Sequence, residues 1–116
     1  MPYFRNNHTS TIQVTGMYWD PQACGQYGNY RTMGWWRIKP YDRILLAPNN
    51  QQYFYWYAES DDGRTWSGRY GPVYTYLYPF DSCLGIGSTG AWKTVTMRAH
   101  DQYTFPGGVT VYVENP

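Results

Sequence analysis

The sequence predicts an all-β fold: one antiparallel β-sandwich domain of about eight short strands, spanning residues 1–116. Three observations carry this. Turn chemistry recurs at intervals of roughly eight to fifteen residues, the spacing of short paired strands. No window keeps an amphipathic helical period for as much as about three turns. The segment Tyr53–Trp66, YFYWYAESDDGRTW, sets six aromatics around a tight turn in fourteen residues and reads as a strand, a hairpin turn and the start of a return strand.

The separators place the strands in order. Strands are expected near Ile12–Trp19, before Asp20-Pro21, and near Gly34–Lys39, before Pro40-Tyr41-Asp42. Arg43–Ala47 runs into Pro48-Asn49-Asn50, and Tyr53–Ser60 and Thr65–Gly68 flank Asp62-Gly63. Val73–Tyr78 stops at Pro79, Trp92–Ala99 follows a Gly-rich stretch, and Pro106-Gly107-Gly108 introduces Val109–Glu114. In the last strand Val109, Val111 and Val113 are expected inward, with Thr110, Tyr112 and Glu114 outward. Cys24–Tyr30, CGQYGNY, reads as a binding or mobile loop.

Alternation puts Tyr53, Tyr55, Tyr57 and Glu59 on one face of their strand and Phe54, Trp56, Ala58 and Ser60 on the other. Val73–Tyr78 repeats the design, with Tyr74, Tyr76 and Tyr78 opposite Val73, Thr75 and Leu77. The two tyrosine stripes either coat an exposed surface or lie beneath a second sheet. Trp35 and Trp36 are adjacent, so one is expected in the core and the other exposed or at an interface.

Composition narrows the function classes. Aromatics are 21% of the chain and charged residues only 15%, below the roughly 25% usual for globular proteins, so much of the surface must be Tyr, Asn, Gln, Thr and Gly. The net charge is +1 with no basic block, so nucleic-acid binding by charge has no support. No run reaches the roughly 20 apolar residues of a membrane-spanning helix. The lysine-poor, Tyr- and Asn-rich surface fits an extracellular or cell-surface protein. The start MPYFRNNHTS lacks the apolar core of a signal peptide, and Met1 before Pro2 favours a processed or renumbered chain. Cys24 and Cys83 either form a disulfide across a long loop or stay as two buried thiols.

Three segments together carry a family resemblance: Phe4-Arg5-Asn6-Asn7-His8-Thr9, Gly34-Trp35-Trp36-Arg37-Ile38-Lys39-Pro40, and Tyr53–Gly68 with Tyr57-Ala58-Glu59 and Trp66-Ser67-Gly68. The chain resembles the DUF1036 family of small, often secreted bacterial domains over roughly its first two thirds. Arg5 stands where that opening motif has a cysteine, and nothing after Gly85 matches. The resemblance implies a compact β domain and no activity. Within the hairpin, Asp61-Asp62-Gly63-Arg64-Thr65-Trp66 resembles an Asp-box turn, with Glu59 at its serine position. The expected roles are structural: Asp61 accepts backbone N–H groups, Gly63 supplies a positive φ, Thr65 begins the return strand and Trp66 packs beneath.

Other motifs read as structure. Gly85-Ile86-Gly87-Ser88-Thr89-Gly90 satisfies G-x-G-x-x-G, but a strand follows it where a dinucleotide site needs a helix. His8 and His100 are isolated loop histidines without ligand spacing, so no metal or cofactor is expected. Cys83 has no nucleophile signature, and Glu59 and Asp61 sit at a turn where a structural role outweighs acid–base chemistry. Asn7-His8-Thr9 is a glycosylation sequon. The expectation is therefore a non-enzymatic protein working through aromatic surfaces: Trp35, Tyr53, Tyr55, Tyr57, Trp66, Tyr74, Tyr76 and Tyr78. It is either a structural subunit that self-assembles into a homo-oligomer or polymer, such as a surface fibre, or a secreted module binding a glycan.

Overall fold

The computed structural model describes residues 3–45, 51–86 and 93–112, with Tyr112 by its backbone alone. Their elements are β1 (Tyr3–Asn7), β2 (Ile12–Trp19), α1 (Pro21–Cys24), β3 (Tyr30–Ile38), β4 (Arg43–Leu45), β5 (Tyr53–Ser60), β6 (Thr65–Trp66), β7 (Tyr70–Thr75), β8 (Phe80–Cys83), β9 (Lys93–Asp101) and β10 (Gly108–Tyr112). The all-β sandwich is present, with ten strands among the described residues where about eight were expected. Trp92, Val113 and Glu114, expected to belong to strands, lie outside the described residues, as do Ala47 and most of the Gly85–Gly90 loop.

A seven-stranded antiparallel sheet runs β7-β9-β5-β2-β3-β8, with β6 added beside β5; a three-stranded sheet runs β10-β1-β4. In the small sheet β1 pairs with β10 in parallel and with β4 antiparallel. The alternation expected of β5 holds: Phe54, Trp56, Ala58 and Ser60 are all buried. They meet Ile12 and Val14 of β2, Ile38 of β3, and Phe4, Val109 and Val111 of the small sheet. Phe4 and Trp56 pack edge to face at 5.0 Å between centroids. This is the sandwich core proper.

The opposite face, which carries the tyrosines, is covered by the large sheet itself. β9 pairs with β5 only from Arg98 to Asp101 and with β7 from Lys93 to Met97, so its first half leaves β5 and takes β7 with it. Val73, Val95 and Met97 then pack with Met17 and Tyr57 as a second core. Ser67 and Gly68 fill the space that β9 vacates: the Gly68 N–H donates to the Thr96 carbonyl at 3.2 Å, and a Cβ at Gly68 would collide with the Met97 carbonyl. Only glycine lets the two backbones approach so closely.

Several expectations need correction. Trp66 is 1% exposed within the first core, and Tyr57 and Tyr76 are 7% and 8% exposed, so none of the three is a contact surface. The strand expected over Val73–Tyr78 spans Tyr70–Thr75; the alternation breaks after Thr75, leaving Leu77 exposed and turning Tyr76 inward. Trp35 and Trp36 are both half-buried, because the β2–β3 register shifts at Val14/Thr15 and the irregularity replaces strict alternation. β3 begins at Tyr30, four residues before the expected start, and α1 precedes it, with the Asp20 carboxylate accepting the Ala23 N–H at 3.2 Å. Cys24 and Cys83 form a disulfide with 5.5 Å between their Cα atoms, tying this loop to the edge strand β8.

Candidate functional site

The β5–β6 hairpin organises the site. At its turn Gly63 takes φ +89°, a conformation that favours glycine, and its N–H donates to the Ser60 carbonyl at 3.0 Å. The turn carboxylate is Asp62 and not Asp61 as expected: Asp62 accepts from the Ser60 hydroxyl and lies 2.9 Å from Nε2 of His8. These bonds, with Ser60 first, hold its carboxyl below the usual aspartate range. His8 lies in the loop after β1, as expected, but is fully buried and packs edge to face on Trp66 at 5.3 Å, so it anchors the hairpin. Thr65 pairs with Glu59, as the hairpin requires.

Freed from the turn, Asp61 points along the sheet. Its two carboxylate oxygens accept from Gln13 Nε2 at 2.6 Å and Arg37 Nη2 at 3.2 Å. Gln13, Arg37 and Glu59 are cross-strand neighbours on β2, β3 and β5, so their side chains share one face. Glu59 accepts from the Tyr57 hydroxyl at 2.7 Å and from the Lys93 ammonium, which reaches it from the curled-over end of β9. Burial, together with the hydrogen bond to Glu59, keeps the Tyr57 phenol well above the ordinary tyrosine range.

Gln13, Arg37, Glu59 and Asp61 line a cleft of about 430 Å³ with Trp35, Leu77 and Pro79. Trp35 packs against Tyr57 at 6.2 Å and donates its indole N–H to the Tyr76 carbonyl at 2.7 Å. That bond fixes the segment from Tyr76 to Pro79 as one side of the cleft. Farther along the same face lies a second hollow of about 420 Å³, lined by Met17, Tyr30, Tyr55, Tyr70, Arg69 and neighbouring residues. Tyr57 occupies the strand position between Tyr55 and Glu59, so the buried middle of the tyrosine row separates the two hollows.

The expected surface residues thus divide. Trp35 and Tyr55 line hollows, Tyr53 and Tyr78 are exposed outside both hollows, Tyr74 is half-buried, and Tyr57, Tyr76 and Trp66 are interior. Gln13, Arg37 and Lys93 were not anticipated. The signal that could have found Gln13 and Arg37 is their place, each one residue from an apolar core position, Ile12 and Val14 for Gln13 and Ile38 for Arg37, on the polar side of β2 and β3. Among the described residues no cluster of His, Cys, Asp and Glu could hold a metal ion. No helix of the described residues is long and apolar enough to cross a membrane. Comparison with protein-family models, curated proteins and solved structures finds no match.

Proposed function

We propose that this chain is a non-enzymatic binding domain that takes a glycan in the Trp35 cleft. The observation that carries the reading is the cleft's composition: one indole wall beside four planar polar side chains, of which Asp61 holds Gln13 and Arg37 while Glu59 is held by Tyr57 and Lys93. A sugar ring presents partly positive C–H groups on its faces, which suit the negative face of an aromatic ring, and vicinal hydroxyls around its edge, which suit Asp, Glu, Gln and Arg. Asp61 and Arg37 are 48% and 63% exposed, so their ion pair adds little stability and leaves its remaining lone pairs and N–H groups open to a ligand. Glu59 and Asp61 are both engaged with fixed partners, which favours recognition over proton transfer. The disulfide favours an oxidising, extracellular setting. Membership of the DUF1036 family belongs to the same proposal and rests on the motif residues.

A glycan array probed with the wild-type protein, Arg37→Ala and Asp61→Asn tests this. Both substitutions lie at exposed positions and leave the fold intact. The expected result is a selective set of glycans whose binding falls at least tenfold in each variant. Binding unchanged in both variants would remove the cleft from the account.

A second reading, a self-assembling subunit of a surface fibre or filament, draws on a different place. Tyr53, Tyr103 and Phe105 are exposed and gather around Asp101, which is the register partner of Tyr53 and accepts the Phe105 N–H. Light scattering over a concentration series tests it: growth in mass that Phe105→Ser abolishes supports assembly through this end, and a constant monomer mass rejects it.

A further inference from the structure

The outer face of the small sheet carries a second, separate feature. Alternation along β1 buries Phe4 and Asn6 and turns Arg5 and Asn7 outward. The register then sets Arg5 directly opposite Arg43 of β4 on one side and Thr110 of β10 on the other. Two like charges directly opposite each other on adjacent strands destabilise a sheet. Here neither guanidinium has a carboxylate within ion-pair distance among the described residues. Both lean over the ring of Tyr3, Arg43 at 4.5 Å and Arg5 at 5.4 Å from its centroid, which converges them on one spot.

Beside them opens a hollow of about 250 Å³ lined by Arg5, Asn6, Asn7, Tyr41, Asp42, Arg43 and Thr110. Its single carboxylate, Asp42, already accepts the Arg43 backbone N–H at 2.8 Å. Two guanidiniums against one carboxylate leave the hollow positive. A water occupies about 30 Å³ of liquid, so the space admits an anion of several heavy atoms together with part of its carrier.

We propose that this row binds an oxyanion, with the Arg5 and Arg43 forks donating to its oxygens and the Thr110 hydroxyl completing the third side. The guanidinium fork matches sulfate, phosphate and carboxylate oxygens alike, and two converging forks favour the doubly charged tetrahedral anions. The bound anion also supplies the negative charge that the paired arginines otherwise lack.

The test is an NMR titration of ¹⁵N-labelled protein with sodium sulfate, sodium phosphate and sodium acetate, each balanced with sodium chloride to constant ionic strength. The expected result is saturable shifts of the Arg5 and Arg43 side-chain N–H groups and the Thr110 amide, tighter for sulfate or phosphate than for acetate. Sulfate against phosphate then separates a sulfated carrier from a phosphorylated one. Arg5→Gln and Arg43→Gln, at exposed positions, each weaken the response at least tenfold with no loss of melting temperature. Shifts that follow ionic strength and not anion identity overturn the proposal. So does an Arg43→Gln protein that melts lower but titrates as the wild type, which would make the arginines packing partners of Tyr3 alone. Neither outcome bears on the Trp35 cleft, which lies on the other sheet.

Discussion

Reducing the Cys24–Cys83 disulfide should cost this domain a large part of its stability. The bridge joins residues 59 apart in sequence and ties α1 to β8, an edge strand paired with β3 alone among the described residues. In the chain-entropy model a loop of that length removes about 14 cal/mol/K from the unfolded ensemble, or about 4 kcal/mol at 25 °C. Unfolding entropy near 2.1 cal/mol/K per residue gives about 0.24 kcal/mol/K for 116 residues, so Tm should fall by about 17 °C. The assay is a thermal melt followed by circular dichroism, with and without reductant, beside the Cys24→Ala/Cys83→Ala double variant. Intact mass must rise by about 2 Da on reduction, the two protons taken up by the thiolates. A Tm change below about 5 °C with that mass rise would refute the reasoning, because it would place the stabilisation outside the closed loop. No mass rise would refute the bridge itself.

Other expectations follow from burial and charge. Trp66→Ala removes a 1% exposed indole from the core and should cost about 3–5 kcal/mol in urea unfolding; a loss below about 1 kcal/mol would contradict its interior place. Burial lowers the His100 pKa, so the unfolded chain takes its proton first; stability is full above about 6.5, the unfolded value, and declines as pH falls toward the depressed folded value. His100→Gln should flatten the urea midpoint in that window. The Arg31 hydrogen bond lowers the Asp81 pKa, so its contribution is present above about 3.9 and is lost as pH falls through the folded value. Asp81→Asn should remove that acid limb, and an unchanged profile would assign it elsewhere. Tyr57 should stay un-ionised in an absorbance titration until the protein unfolds; ionisation within the ordinary tyrosine range would contradict its burial against Glu59.

The Asp20-Pro21 turn signal made β2 legible in the sequence and alternation made β5 so, with the bounds Ile12–Trp19 and Tyr53–Ser60 unchanged. β1 was missed because its inward residues are Phe4 and Asn6, and a buried asparagine breaks the apolar pattern. Asn6 is accommodated by donating to the Ser10 and Ile38 carbonyls at 2.8 and 2.9 Å, partners that only the fold supplies. β8, four residues at an edge, carries too little pattern to read. The two-sided character of the large sheet was legible in β5, but not what covers its tyrosine face. That depends on β9 leaving β5 midway, a long-range event with no local sequence signal. For the same reason the sequence singled out Trp35 as a site residue, while Gln13 and Arg37 emerged only from cross-strand register. Asp62 takes the turn role expected of Asp61 because the Ser60 hydroxyl and His8 both reach it.

The central claim, that the Trp35 cleft receives a glycan, is tested most directly by mapping the tightest array ligand onto the protein by ¹⁵N NMR titration. The account predicts saturable shifts concentrated at the Trp35 indole N–H, the Gln13 side-chain amide and the Arg37 guanidinium, lost in Asp61→Asn. Shifts centred on Tyr53, Tyr103 and Phe105, or no saturable response to any glycan, would contradict it.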